Sequence, residues 1–435
     1  MKEKFEKIER DILSILWKVD KFYIFCLTVS LLMLLTGALS WSYQIIRGIG
    51  VSGKTNPVGW KVYITNFVFW VGIAHSGTLI SAVLFLLRAK FRSRFNRSAE
   101  AMTVFAIMVA GLFPLIHLGR VWKFYWLLPY PNQRHLWVNF KSPLIWDVFA
   151  VSTYLTVSLI FFYVGMVPDL AIAARYYKDK VRNLFYKILS IGFKGTKREW
   201  ENYNQLYLYL AAFATPLVVS VHSVVSWDFA MSILPGWHTT IFAPYFVAGA
   251  IFSGSAMVIT LTVPLRKILK LENYIREEHF DDLSKILLFT SLIVTYSYIL
   301  EFYLAFYGEN PFEKELFRFR ALGGAKIFFF IMILCNSVIP LTLFVSKLRR
   351  NIPYLFVLSI FVNIGMWYER FVIVTSSLSR DYNPYAWGSY APSLIEIGIT
   401  IGSFGLFFTL YLIFIKIFPF LSITEIKEEE NENHL

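Results

Sequence analysis

Charged side chains make up only 16% of this 435-residue chain, against about 25% in ordinary soluble domains. A chain this long would usually fold as two or three soluble domains, and there are too few charges here to cover their surfaces. Cysteine is scarcer still. Cys26 and Cys335 are the only two, and both stand inside apolar runs. That excludes a disulfide framework, a four-thiolate iron–sulfur cluster, a cysteine-rich zinc site and a CxxCH haem attachment on this chain. Disorder is excluded by the abundance of Phe (42), Tyr (25) and Trp (13). What remains is apolar, 57% of all residues, and a polytopic helical membrane protein is the class that fits.

A bilayer core takes about 20 mostly apolar residues per helix. Ten segments qualify: 22–46, 61–87, 100–122, 145–174, 203–228, 239–265, 283–306, 322–346, 353–378 and 393–418. The predicted organisation is an all-α, ten-helix membrane domain over 22–418, preceded by a charged amphipathic segment, 1–21. That segment lacks an apolar core ending in a small-residue cleavage site, so it reads as a cytoplasmic surface helix and not a signal peptide. The tail, 419–435, is acidic and polar and reads as a mobile cytoplasmic end.

The net charge of +13 raises the question of nucleic acid, and the distribution of that charge answers it. The N-terminus, the loops after the second, fourth, sixth and eighth segments, and the C-terminus together hold 29 Lys and Arg; the alternate loops hold 12. The positive-inside rule then puts both termini in the cytoplasm. The basic excess is an orientation signal, and nucleic acid has no part in it.

An internal echo joins the second segment, GIAHSGT (72–78), to the sixth, GAIFSGS (249–255). Both run outside to inside, so a repeat would be parallel. It would give two halves, about 61–228 and 239–378, built from helices 2–5 and 6–9 and flanked by helices 1 and 10. Small residues at such spacing also simply let helices pack closely.

Ionisable residues inside spanning segments are costly and are functional candidates by default. His117 and Arg120 close the third segment three residues apart, a spacing that predicts one shared helix face. Asp147 opens the fourth, His222 and Asp228 close the fifth, Glu301 is near the end of the seventh, Glu369 and Arg370 are in the ninth, and Glu396 opens the tenth. In the expected orientation all of these fall in the outer half, with His75 nearer the middle and little beyond Asp169 in the inner half. A one-sided cluster predicts a site opening to the outer side. The loop after the third segment, VWKFYWLLPYPNQRHLW, adds aromatics to it.

A histidine and carboxylates beside an aromatic-lined slot suit a quinol head group. Its oxidation yields two electrons and two protons, and an imidazole and a carboxylate can accept the protons. Each residue also has a plainer reading. His117 can be satisfied by water, and Asp147 can act as an N-cap or first-turn acid. Arg120 can reach to the interface. Glu369 and its neighbour Arg370 point to different sides of their helix, and each can pair structurally. Haem b is a competing use of His117 and His222, but no helix carries the paired histidines of a two-haem cytochrome.

The stretch NFVFWVGIAHSGTLISAVLFLLRAKFRSRFNRSAEAMTVFAIMVAGLFPLIHLGRVW (66–122) resembles the polysulfide reductase, NrfD-type, membrane subunits. Within them it is most similar to the quinol-binding subunits, ActC, of bacterial alternative complex III. VVSWDFAMSILPGWHTTIFAPYFVAGAIFSG (224–254) and GMWYERFVIVTSSLSRDYNP (365–384) extend the resemblance over most of the chain. The resemblance implies two four-helix bundles with peripheral helices in a bacterial inner membrane, without haem, iron–sulfur cluster or metal on this chain. It implies oxidation of a quinol, menaquinol by expectation, near the outer face. The implied partners are a periplasmic iron–sulfur subunit, multihaem c-type cytochrome subunits and a homologous second membrane subunit. It maps the quinol site onto His117, Asp147 and Asp228, with Arg370 a further member; Arg120, His222, Glu301 and His75, as ionisable residues of the spanning segments, stay more distant candidates. Two other readings stay open at this point. One is a membrane anchor linking quinone to a polysulfide- or nitrite-type reductase; the other is a proton-conducting or transport subunit without a redox role.

Overall fold

The computed structural model describes residues 2–128 and 140–432. His135, most of the aromatic-rich loop and the last three tail residues lie outside the described residues. Fourteen helices of eight or more residues carry the described chain, and ten are long and apolar enough to cross a membrane. The ten are α2 (Lys21–Arg47), α3 (Val62–Leu86), α4 (Asn96–His117), α5 (Pro143–Tyr176), α7 (Lys197–Ala230), α8 (Phe242–Ile268), α9 (Glu277–Tyr307), α11 (Lys326–Phe344), α12 (Ile352–Ser379) and α13 (Leu394–Ile417). Four amphipathic helices accompany them: α1 (Lys2–Leu13), α6 (Lys180–Leu189), α10 (Pro311–Ala321) and α14 (Ile423–Glu432). Each predicted segment is matched by one spanning helix, and several starts carry cap residues that satisfy the first free amides. Asp20 accepts from the Tyr23 amide at 2.7 Å, and Thr196 with Glu199 forms a capping box on α7.

The packing gives two four-helix bundles. Helices α3, α4, α5 and α7 form the first, and α8, α9, α11 and α12 the second, with α2 and α13 paired outside against α4. Small residues set where backbones meet. Gly37 of α2 lies directly against Gly402 of α13. The two echoed motifs meet each other at the seam between bundles: Ser76 and Ser255 hydroxyls are 3.0 Å apart. A Cβ on Gly254 would strike the Ser76 side chain and stand 2.7 Å from the Ile73 carbonyl oxygen.

The first and last helices, α1 and α14, lie together on one face, the terminal face. There α1 buries Ile8, Ile12 and Leu13, as its amphipathic pattern predicts for a surface helix. The mobile tail expected from composition is not what is found over 423–432. That stretch is helix α14, held by Glu425 to Arg92 (3.0 Å), Glu429 to Arg94 (2.9 Å), Glu430 to Lys4 (2.5 Å) and Lys427 to Glu9. Its acidic residues find the basic loop before α4, so charge pairing orders a segment whose composition alone suggests disorder.

Candidate functional site

On the face opposite the termini, the second turn of α5 and the last turn of α7 bring Asp147 and Asp228 side by side, within hydrogen-bonding reach. Helix α5 begins at Pro143, so Asp147 stands past its first turn and caps no backbone amide; the N-cap reading does not hold. Each carboxyl keeps one buried oxygen with no partner among the described residues. Trp146 and Trp227 meet edge-on beside the pair at 5.9 Å. Two carboxyls this close form a place to hold one proton between them.

His117 is the last residue of α4, half-buried, and its Nδ1 has no partner among the described residues. The shared helix face expected for His117 and Arg120 is absent. The helix stops at His117, Gly119 takes a left-handed φ of +72° against Ile49, and Arg120 lies beyond the helix and exposed. The charges near His117 are instead Lys61 and Lys54, on the connection between α2 and α3. Lys61 has no exposed surface. It donates to Ser52, and it pairs with Glu396 at 3.7 Å. Glu396 in turn accepts the Gly53 and Ser393 amides at 2.9 Å each. Burial, opposed by Glu396, holds the Lys61 amine down at about 8. Next to it, Trp60 packs on Phe229 (5.8 Å) and Trp237 (5.5 Å). One turn of chain therefore joins the His117 side to the end of α7 that carries Asp228. No hydrogen bond links His117 to either aspartate among the described residues.

The more distant candidates collect elsewhere. His75 and His222 meet near the middle of the first bundle, ring centroids 4.5 Å apart, with Tyr154 stacked on His75 at 4.9 Å. Both imidazoles are buried; His75 Nε2 and both His222 nitrogens lack partners among the described residues. Rings in direct contact leave no gap for a porphyrin between them, and His222 faces His75, not His117. Six residues separate His222 from Asp228, and the two face different neighbours. Arg370 lies in the second bundle. It pairs with Glu369 at 3.0 Å and covers the Phe246 ring at 4.1 Å, so the two neighbours expected to diverge are joined. Glu369 accepts from Tyr298, which takes a bond from Asn336 at 2.9 Å. Glu301 shares a small cavity with Tyr245, Tyr298 and Arg320.

The expectation that the half nearest the termini holds little is overturned. Arg97 bridges Glu100 (3.0 Å) and Asp169 (2.9 Å), all three buried. Thr424 of α14 donates its amide and hydroxyl to Asp169 at 3.0 and 2.8 Å. Arg97 and Glu100 sit where the sequence reads as basic loop and helix start, which hides them; their i,i+3 spacing in NRSAE is the available signal. From Glu100 a cavity lined by Thr78, Ser81, Thr103 and Ser158 leads towards Tyr154, which bonds Thr78 at 2.7 Å. Helix α3 widens into π geometry over Leu79–Val83 beside this cavity.

Residues 50–380 match the family described as polysulphide reductase, NrfD. Three curated proteins are similar along most of their length. A Halobacterium salinarum protein provisionally named as a dimethyl sulfoxide reductase membrane subunit is 25% identical, covering 86% of each chain. A selenate reductase subunit of Mesobacillus selenatarsenatis is 24% identical, over 90% of this chain and 93% of its own. The Hdr-like menaquinol oxidoreductase integral membrane subunit of Archaeoglobus fulgidus is 20% identical, over 94% and 98%.

Proposed function

The chain belongs to the NrfD polysulphide reductase family, and from that premise we propose that it is the quinol-binding membrane subunit of an oxidoreductase complex, taking menaquinol on the face opposite its termini. The observation that carries the reading is the set of unpartnered buried polar atoms at His117, Asp147 and Asp228, at three neighbouring helix ends of one bundle. Native proteins rarely leave such groups unpaired without a ligand or water to meet them. The two hydroxyls of a quinol supply one donor for the carboxyl pair and one for the imidazole, and indoles at Trp146, Trp227 and Trp60 suit a flat aromatic head. The carboxyl pair accepts one proton and His117 the other, while two electrons leave to a partner iron–sulfur subunit. The positive-inside distribution supports termini in the cytoplasm and release of these protons outside. In the form closest to the sequence resemblance, the assembly is of alternative complex III type, with c-type cytochromes and a second membrane subunit. The two reductase relatives support the related reading of a quinone-linked reductase anchor, which uses the same site.

The test is the intact complex carrying His117→Ala or Asp147→Asn. Quinol oxidation is expected to fall about 100-fold, with all subunits still assembled. Unchanged turnover in the double variant would remove both residues from the site.

A second reading, proton translocation, is favoured by one observation: buried polar groups run through both bundles. Asp169, Arg97 and Glu100 lead to Tyr154, His75 and His222 in the first bundle. Arg370 and Glu369 continue to Tyr298, Glu301 and Arg320 in the second. The ratio of protons moved to electrons transferred in liposomes separates pumping from release on one side.

A further inference from the structure

At the helix ends of the second bundle, on the side of the terminal helices, lies a cavity that neither reading uses. It has a volume of about 960 Å³ and opens where α8 ends and α9 and α12 begin, beside the turn at 346–351. Its rim carries Arg266, Lys267, Lys347 and Arg350 against a single acid, Glu277. Lys267 and Lys347 are exposed and have no ion-pair partner among the described residues. Among the described residues Arg350 reaches only Asp281, at 4.0 Å, and that carboxylate already holds Arg349 at 2.9 Å and Lys285 at 3.1 Å. Arg266 is fixed by its bond to the Ile275 carbonyl at 2.5 Å.

The wall towards the membrane is apolar. Val263, Phe356 and Val357 line it, and Val357 is 51% exposed, continuous with exposed Phe361 and Ile364 along α12. Deeper in, the cleft between α8 and α12 is closed by the Thr260–Ser359 contact (2.8 Å) and by Asn363 donating to Thr260 (3.2 Å). The cavity is therefore a dead end, with cations at its mouth and hydrocarbon along its side.

We propose that this cavity binds the phosphate head group of an anionic membrane lipid, with an acyl chain lying along Val263, Phe356 and Val357. Excess cation at a helix-end interface recruits anionic head groups, and a soluble anion would gain nothing from the apolar wall. The interaction belongs to the membrane face opposite the proposed quinol site, so it anchors the second bundle without entering the redox chemistry.

The experiment uses the purified complex, stripped of lipid in mild detergent, titrated with cardiolipin or phosphatidylglycerol, and read by native mass spectrometry and melting temperature. Phosphatidylcholine and inorganic phosphate are the comparison ligands. Anionic lipid is expected to bind and raise the melting temperature, while both comparison ligands leave it unchanged. Lys267→Gln with Lys347→Gln is expected to weaken binding about thirtyfold, and the corresponding double arginine variant to retain it. Equal binding by the glutamine variant, or an equal shift with phosphatidylcholine, overturns the proposal. An equal shift with inorganic phosphate alone overturns the lipid and leaves a soluble-anion site.

Discussion

Lys61 shows how one buried side chain links stability to pH. Its amine titrates near 8 in the folded protein, against an ordinary value of 10.5, because burial disfavours the charge more than Glu396 restores it. Between those values the unfolded chain binds more protons than the folded one, so stability rises with pH across that window and is flat below it. The wild type is expected to gain melting temperature relative to Lys61→Met from about pH 8 to about pH 10; a constant difference over that range would show that Lys61 is not held in this way. Residue chemistry is legible in part. The sequence marks Asp147 and Asp228 as intramembrane carboxylates, but that they touch each other, and that His117 instead faces Lys61, depends on how helix ends are turned. Arg120 departs from the expected face for a local reason: the left-handed Gly119 ends the helix before it.

Helices are where the sequence is clearest. Ten apolar stretches become ten spanning helices because a bilayer leaves a backbone few other ways to satisfy its polar groups. Glycine placement decides how closely those helices approach. A methyl on Gly77 would meet Thr103 and the Ala99 carbonyl, and one on Gly254 the Ser76 side chain, whereas Gly111 has open space around it. Gly77→Ala and Gly254→Ala are each expected to cost about 1–3 kcal/mol through overpacking. Gly111→Ala should gain up to about 1 kcal/mol from helix propensity. Melting curves in one detergent check the ordering, and equal effects at the three positions would refute the packing account.

At the scale of the whole molecule, the two bundles place separate polar clusters end to end across the seam where His222 approaches Arg370. On the proposed proton route, Glu100→Gln lowers the number of protons moved per electron while quinol oxidation continues, because Glu100 is remote from the quinol candidates. Liposome measurements that gave an unchanged ratio would reject the route. The docked α14 covers the same end of this path, since Thr424 satisfies Asp169 directly. Neither this buried cluster nor its cover is visible as such in the sequence. Arg97, Glu100, Asp169 and Thr424 are brought together over as many as 327 positions, and each alone reads as an ordinary helix-end residue.

Composition and hydropathy by themselves determined the class, the ten spans and the common side of both ends of the chain. Those properties follow from transfer between water and hydrocarbon, which acts on each segment independently. Only the tertiary structure decided which buried charges are paired, that His75 meets His222, and that the acidic tail is an ordered cover. Those depend on helix rotation and on contacts between distant segments, where hydrogen-bond geometry of a few tenths of an ångström outweighs any local pattern.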